Sequence, residues 1–238
     1  MKRETIYGVR PVIEALRSNR REVFEVLDAS RNAGVAEAAA ASGVSVKEVP
    51  RARVNDLARG RAHQGVVARV GSYPYSGLTE LLAIPATLLV VLDGVTDPRN
   101  LGAVLRAADG VGAGGVVITK DRAVDVTAAA VKASAGASEH VAVARETNLR
   151  RAIDRIKRAG VWVYAAEAGG TTYTEMDLTG PIALVLGSEG RGIRRLVRDS
   201  CDGALSIPMF GAVRSLNVSV AAAVLLYEAR RQRGWHHT

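Results

Sequence analysis

Thr87-Leu-Leu-Val-Val-Leu-Asp-Gly-Val-Thr-Asp-Pro-Arg-Asn-Leu-Gly-Ala-Val-Leu-Arg106 carries the chain from one structural periodicity into another. Thr87–Leu92 is apolar without alternation, which suits a strand buried on both faces. Asp97 before Pro98 is a good helix start: Asp accepts from free N–H groups of the first turn, and Pro tolerates the first helical position. Asn100 is a second candidate cap. Leu101, Val104, Leu105 and Ala108 then share one helical stripe. Downstream the alternation continues. Strands are expected at Gly115–Thr119, Val141–Val143, Val161–Ala165, Ile182–Leu186 and Ala204–Ile207. Helices are expected at Ala128–Ala135, Leu149–Ala159, Ile193–Cys201 and Val218–Arg231. Apolar strands separated by helices predict an α/β fold with a mainly parallel sheet covered on both faces.

Upstream, Gly71-Ser-Tyr-Pro-Tyr-Ser-Gly77 has turn formers and no period, and reads as a linker. The division is therefore 1–71 for a small αβ unit, 72–80 for the linker and 81–238 for the larger unit. In the small unit, helices are expected at Arg10–Leu16, Ala33–Ser42 and Arg51–Arg59. Strands are expected at Val23–Leu27, Val44–Val49 and Val66–Val70.

The 238 residues carry a formal charge of +8, and 27 of the 32 basic side chains are arginine. Residues 1–70 hold 13 basic and 8 acidic side chains, so the first third carries +5 of the excess. That bias points to a polyanion, and the planar arginine fork suits phosphate. Arg17, Arg20, Arg21, Arg51, Arg53, Arg59 and Arg61 are expected to be exposed, few acids being interleaved with them. Cys201 is the only cysteine, and the four histidines lack zinc-ligand spacing, so no structural metal is expected. With no apolar run of ~18 residues and no signal-peptide pattern, a cytoplasmic location is expected, with no membrane association.

Gly110-Val-Gly-Ala-Gly-Gly115 fits the dinucleotide fingerprint but follows a helix and precedes a strand, the wrong order for phosphate binding at a helix N-terminus. A nucleotide-dependent oxidoreductase would rest on it alone. Asn217-Val-Ser219 fits a glycosylation acceptor without secretory context.

Three other segments join a polar or glycine-rich turn to an apolar element: Asn100–Arg106, Leu186-Gly-Ser-Glu-Gly-Arg-Gly192 and Ile207-Pro-Met-Phe-Gly-Ala-Val-Arg-Ser-Leu-Asn-Val-Ser-Val-Ala221. Arg106 lies off its helix's apolar stripe; it either pairs with Asp109 three residues on or stands near a reacting centre. Glu189 lies among glycines just before a helix, where a carboxylate is favoured by the dipole. Ser215 and Asn217 are candidate caps. The helix after them is apolar nearly all round and is expected to be buried. Glycine-bearing loops side by side at strand ends would form a ligand crevice.

In this order and spacing the three segments resemble the signature motifs of the SPOUT class of methyltransferases, and within it the SpoU or TrmH family of RNA ribose 2'-O-methyltransferases. Lys132-Ala-Ser-Ala-Gly-Ala137 and His63-Gln-Gly-Val-Val67 support the likeness, and residues 5–70 resemble that branch's substrate-binding domain, similar to ribosomal protein L30e. Ile6-Tyr-Gly-Val-Arg10 is similar to the bacterial subgroup acting on a 23S ribosomal RNA guanosine.

The resemblance implies a catalytic domain with a deep trefoil knot, working as a homodimer through that domain, with S-adenosylmethionine as cofactor. Main-chain groups of Gly187, Ile207 and Leu216 would hold the cofactor, with Gly190, Gly192 and Met209 completing its cleft. Arg106 would position the ribose hydroxyl and stabilise its developing charge, and Asn100, Glu189, Ser215 and Asn217 would hold the ribose, the arginine and the loops. RNA would dock on Arg10, Arg17, Arg20, Arg51, Arg59, Arg61 and His63. Alternative substrates are a tRNA ribose or another ribosomal nucleotide, including one whose methylation confers antibiotic resistance. A non-catalytic RNA-binding assembly factor is the reading from another class.

Overall fold

A computed structural model of the chain describes residues 3–235. Two sheets organise it. The first runs β1–β4–β2–β3, with β1 Glu4–Tyr7, β2 Val23–Asp28, β3 Val46–Glu48 and β4 Val66–Val70. Only β2 and β3 pair parallel. Helices α1 (Val9–Ser18), α2 (Ala33–Ala41) and α3 (Arg51–Ala58) cover it. β1 lies outside the strands expected from sequence, because two polar and two apolar residues set no strand period before a helix.

The second sheet contains β5 Leu88–Asp93, β6 Gly115–Thr119, β7 Val143–Glu146, β8 Trp162–Thr172, β9 Ile182–Gly187 and β10 Gly203–Ser206. Its order is β10–β8–β9–β5–β6–β7, and every pairing is parallel. Alternate residues feed opposite cores. Leu88, Val90 and Leu92 of β5 and Leu184 and Leu186 of β9 face α5 (Pro98–Gly110), α6 (Ala128–Ala133) and α9 (Val218–Arg233). Leu89, Val91, Ala183 and Val185 face the side of α4 (Leu78–Leu82), α7 (Leu149–Arg158) and α8 (Arg195–Arg198). Both faces are dry, as uninterrupted apolar strands require. Gly102 brings α5 against α6: a Cβ there would lie 2.5 Å from the Ala133 Cβ and 2.6 Å from the Ala130 carbonyl oxygen.

Several expectations are corrected. The segment expected as the linker, 72–80, is ordered, and its end is helical. Ser76 bridges to Ala144, and Leu78 already opens α4. Tyr73 is buried, donates from its hydroxyl to the Ser138 carbonyl at 2.8 Å and stacks edge-on against Tyr75. The strand expected to end at Ala165 runs to Thr172, and the helix expected over Ile193–Cys201 contracts to Arg195–Arg198. β7 is displaced C-terminally to Val143–Glu146. The final helix is not buried all round. Val218, Ala222, Leu225, Leu226 and Ala229 face the core, but Val220 and Tyr227 are 48% and 46% exposed.

The apolar core beside α5 is continuous with that of the first unit. Ions close the same seam. Arg21, expected at the surface, is buried and forms a two-pronged ion pair with buried Glu139, its Nε donating at 3.0 Å. Arg20, also expected to be free for RNA, is half-buried and donates to the Val141 carbonyl at 2.6 Å and the Ser76 hydroxyl at 3.1 Å.

Candidate functional site

The three glycine- and asparagine-bearing segments meet at the C-terminal ends of β5, β9 and β10. At β5 two caps competed in the sequence. Asp97 caps α5, accepting from the Arg99 amide at 2.8 Å. The Arg99 guanidinium and amide together hold its carboxyl below the usual range. Asn100 is thereby left free, and its Nδ2 donates to Glu189 Oε1 at 3.0 Å. Asn217 caps α9 through Oδ1, which accepts from the Ser219 amide at 2.9 Å. Its Nδ2 donates to Glu189 Oε1 at 2.6 Å and to Asn100 Oδ1 at 3.0 Å. One carboxylate thus ties together side chains 89 and 28 residues away in sequence.

The loop after β9 owes its shape to Gly187, where a Cβ would collide with the Gly192 carbonyl and the Ile193 nitrogen. The Gly192 amide returns to the Ser188 carbonyl at 2.9 Å, and Gly190 and Gly192 adopt φ of 79° and 63°, a region that favours glycine. A buried anchor missed in the sequence holds the far end. Asp93 accepts from the Arg194 backbone amide at 2.8 Å and from its guanidinium Nε at 2.7 Å. An acid directly ending an apolar strand was its only signal.

Between these loops lies an open cleft of about 1090 Å³. Gly187, Glu189, Gly190, Gly192, Ile207, Met209, Ser215, Leu216 and Asn217 all line it. Ser215 is exposed, with no side-chain hydrogen bond to another described residue. The overlong β8 adds Ala166, Glu167, Ala168 and Gly169, which sequence reading missed because alternation was followed only to Ala165. Asn100 stands behind Glu189. Arg106 is six residues further along α5, roughly 9 Å along the axis. Its side chain is exposed and makes no hydrogen bond or ion pair with any described residue, so the pairing with Asp109 does not form. Gly110–Gly115 ends α5 and turns the chain into β6, with Gly112 at φ 63°.

The cleft suits a nucleoside carrying a sulfonium. Leu186, Leu205, Ile207 and Leu216 give it apolar walls, glycine backbone approaches closely, and its charged lining is Glu167 and Glu189 with Arg191 and Arg214. Among the described residues no group of three His, Cys, Asp or Glu is placed to hold a metal. Burial pushes the Cys201 thiol up to about 12, which leaves it protonated at neutral pH.

Of the side chains expected on RNA, Arg10, Arg17, Arg51, Arg59 and Arg61 are exposed. Arg17 reaches Glu14 at 3.8 Å, and Arg61 lies over the Tyr7 ring. The side chains of Arg10, Arg51 and Arg59 make no ion pair or hydrogen bond with another described residue. His63 is corrected: it is buried, and its Nδ1 accepts from the Gly65 amide at 3.0 Å, closing the turn before β4. Tight turn packing, not surface exposure, accounts for the His63-Gln-Gly65 pattern.

Parallel strands with a glycine-lined crevice at their C-terminal ends, joined rigidly to a basic αβ unit, define a class of two-part enzyme in which one part grips a polyanion and the other a small ligand. Known proteins narrow this class. Residues 87–227 match the SpoU rRNA methylase family, and residues 5–76 match the substrate-binding domain of RNA 2'-O ribose methyltransferases. A Bacillus subtilis protein assigned by name to the TrmH family of tRNA/rRNA methyltransferases is 41% identical over 96% of this chain and 95% of its own. The crystal structure of the SpoU methyltransferase AviRb from Streptomyces viridochromogenes in complex with S-adenosylmethionine superposes with a TM-score of 0.81 at 29% identity, covering 96% of this chain and 89% of that one. An RNA 2'-O ribose methyltransferase structure superposes at 0.80 with 31% identity, covering 97% and 89%. The chain belongs to the SpoU methylase family, RNA methyltransferases that use S-adenosylmethionine.

Proposed function

We propose that the protein methylates the 2'-hydroxyl of a guanosine ribose in 23S ribosomal RNA. The observation that carries this reading is the Asn100–Glu189–Asn217 cluster, which joins all three motif segments at the rim of the cofactor cleft.

Bound S-adenosylmethionine supplies an electrophilic methyl group. The main chain at Gly187, Ile207 and Leu216 holds it, with Gly190, Gly192 and Met209 shaping the cleft. The ribose oxygen forms the new O–CH₃ bond as the S–CH₃ bond breaks, and the hydroxyl proton passes to solvent. A ribose hydroxyl is a poor nucleophile, so the protein's task is to orient it for in-line attack and to stabilise the charge developing on oxygen. Arg106 does this as a fixed cation. Its pKa above ~12 suits it to charge stabilisation, not to taking the proton. Asn100, Glu189, Ser215 and Asn217 fix the ribose and the loops.

The remaining parts belong to the same reading. Arg10, Arg17, Arg51, Arg59 and Arg61 form the docking face for RNA. A second copy packs on the exposed side of α9, supported by Val220 and Tyr227 standing open to solvent. The loop that returns from β10 to place Asn217 against residues of two earlier loops belongs to a deep trefoil knot. The site of action is the cytoplasm.

The test is transfer of labelled methyl from S-adenosylmethionine to in-vitro transcribed 23S RNA, with mapping of 2'-O-methyl positions. One modified guanosine is expected. Label appearing only in tRNA would move the substrate to that class, and no label in either RNA would favour an assembly factor.

A further inference from the structure

The motif Lys132-Ala-Ser-Ala-Gly-Ala137 is not absorbed by the cofactor cleft. Its lysine projects from α6 into the seam between the two units. There Nζ donates to Gln64 Oε1 at 2.6 Å, across 68 residues of sequence. Gly8 makes room for it: a Cβ at that position would begin 2.5 Å from Nζ. Lys47 and Lys157 pair with carboxylates, Glu25 and Asp202. Lys132 instead meets a neutral amide, and it has no ion pair with any described residue. Burial lowers its pKa, as expected where no anion compensates the lost hydration.

Its neighbours are also cationic. Lys132 and Arg51 both act on His63 and lower its pKa further than burial alone. Arg10 is on α1, whose Arg10 carbonyl and Glu14 side chain pack over Gly136 at the end of the same motif. Arg106 is on α5, which packs on α6 through Gly102 against Ala130 and Ala133. Arg10 and Arg106 therefore lie on two helices that pack against α6, which carries Lys132, and none of the three side chains has a carboxylate partner among the described residues. One of these cations belongs to the basic unit and one to α5, the helix that also carries Asn100.

We propose that Lys132, oriented by Gln64, seats a backbone phosphate of the RNA near the ribose to be methylated. It is a positioning residue for the substrate, and the inference rests on the RNA methyltransferase reading. An amide partner holds the ammonium in place without neutralising it, so the charge stays available to phosphate. A carboxylate at position 64 would cancel it.

The test measures binding of in-vitro transcribed 23S RNA across a salt series, together with S-adenosylmethionine binding by calorimetry and thermal stability. Lys132→Met keeps the apolar stem and removes the charge. Each phosphate contact contributes about 0.7–0.9 to the log–log salt slope, so the variant should lose about one such step and bind about 4- to 5-fold more weakly near 0.15 M salt. Cofactor affinity should not change, and Lys132→Arg should restore the slope. An unchanged slope in a folded Lys132→Met protein would overturn the inference.

Should that variant fold poorly, Gln64→Glu and Gln64→Ala decide. The carboxylate should weaken RNA binding well beyond the alanine, and equal binding by the two would overturn the proposal. If the wild type neither binds nor methylates 23S RNA, the substrate reading fails and this assignment falls with it. If the wild type methylates that RNA and Lys132→Met does so with the same salt response, only the assignment of Lys132 falls.

Discussion

The seam between the two units and helix α5 both carry arginine, in opposite ways. At the seam, Arg21 has a side chain only 2% exposed and is committed to Glu139, which is fully buried. On α5, the side chain of Arg106 is open to solvent and committed to nothing described. A buried cation must be matched, because removal from water costs several kcal/mol that only close partners offset. An exposed cation without a partner contributes little to folding and keeps its full charge for an arriving anion. Partner state, more than position in the sequence, separates arginines that hold the two units together from arginines left open to solvent.

The largest effect should come from breaking the seam. Glu139→Ala removes the two-pronged partner of the buried Arg21 and leaves it only Glu4, 3.6 Å from its Nη1, a loss expected near the low end of the ~3–5 kcal/mol typical of breaking a buried pair. Thermal unfolding should show a large fall in Tm. Burial raises the Glu139 pKa even with the Arg21 guanidinium beside it, so the pair sits in a strongly desolvating place. The double variant Arg21→Met/Glu139→Leu should therefore recover most of the loss. If the single variant unfolds like wild type, the seam is not held by this pair.

Helix α5 should respond the other way. Arg106→Ala should leave Tm and S-adenosylmethionine binding unchanged, since no described contact is lost. Methyl transfer should fall by roughly 10²-fold or more, about 2.7 kcal/mol of barrier. Normal turnover would remove Arg106 from the chemistry. A fall in Tm would mean that it belongs with the seam arginines.

This contrast also explains what could be read from the sequence. The parallel sheet was legible because runs such as Leu88–Leu92 and Ile182–Leu186 announce burial on two faces without tertiary information. The meeting of Asn100, Glu189 and Asn217 followed from motif order and resemblance, since no local pattern reports contact across 117 residues. Arg20 and Arg21 were misjudged for the same reason. They look like Arg17 in sequence, and partners distant in the chain, among them Val141 and Glu139 more than 100 residues away, take them out of solvent. His63 was read as a surface contact because burial of a lone polar side chain in a tight turn leaves no periodic trace.

A smaller effect should separate two duties of one rim residue. Asn217 both caps α9 and donates to Glu189. Asn217→Ala removes both and should cost about 1 kcal/mol of stability as a lost cap, roughly 2–4 °C in Tm. Asn217→Asp keeps the capping oxygen but sets a second carboxylate against Glu189. It should retain more stability than the alanine variant while losing at least as much methyl transfer. If activity simply tracks Tm in the two variants, Asn217 is a cap and nothing more.

The smallest expected effect lies at the seam. Burial, then the Arg51 and Lys132 charges, lower the His63 pKa below its ordinary 6.5. The folded protein thus binds a proton there less readily than the unfolded chain. Stability should be full above about pH 6.5 and decline as the pH falls through that value towards the lowered folded pKa, because protons then favour the unfolded state. His63→Asn keeps an acceptor for the Gly65 amide but cannot titrate. The difference in unfolding free energy between wild type and His63→Asn, measured by urea titration from pH 7.5 to pH 5, cancels the other groups and should shift against the wild type as the pH drops. A flat difference would mean that the imidazole is as easily protonated in the fold as outside it, and that the cations of the seam do not reach it.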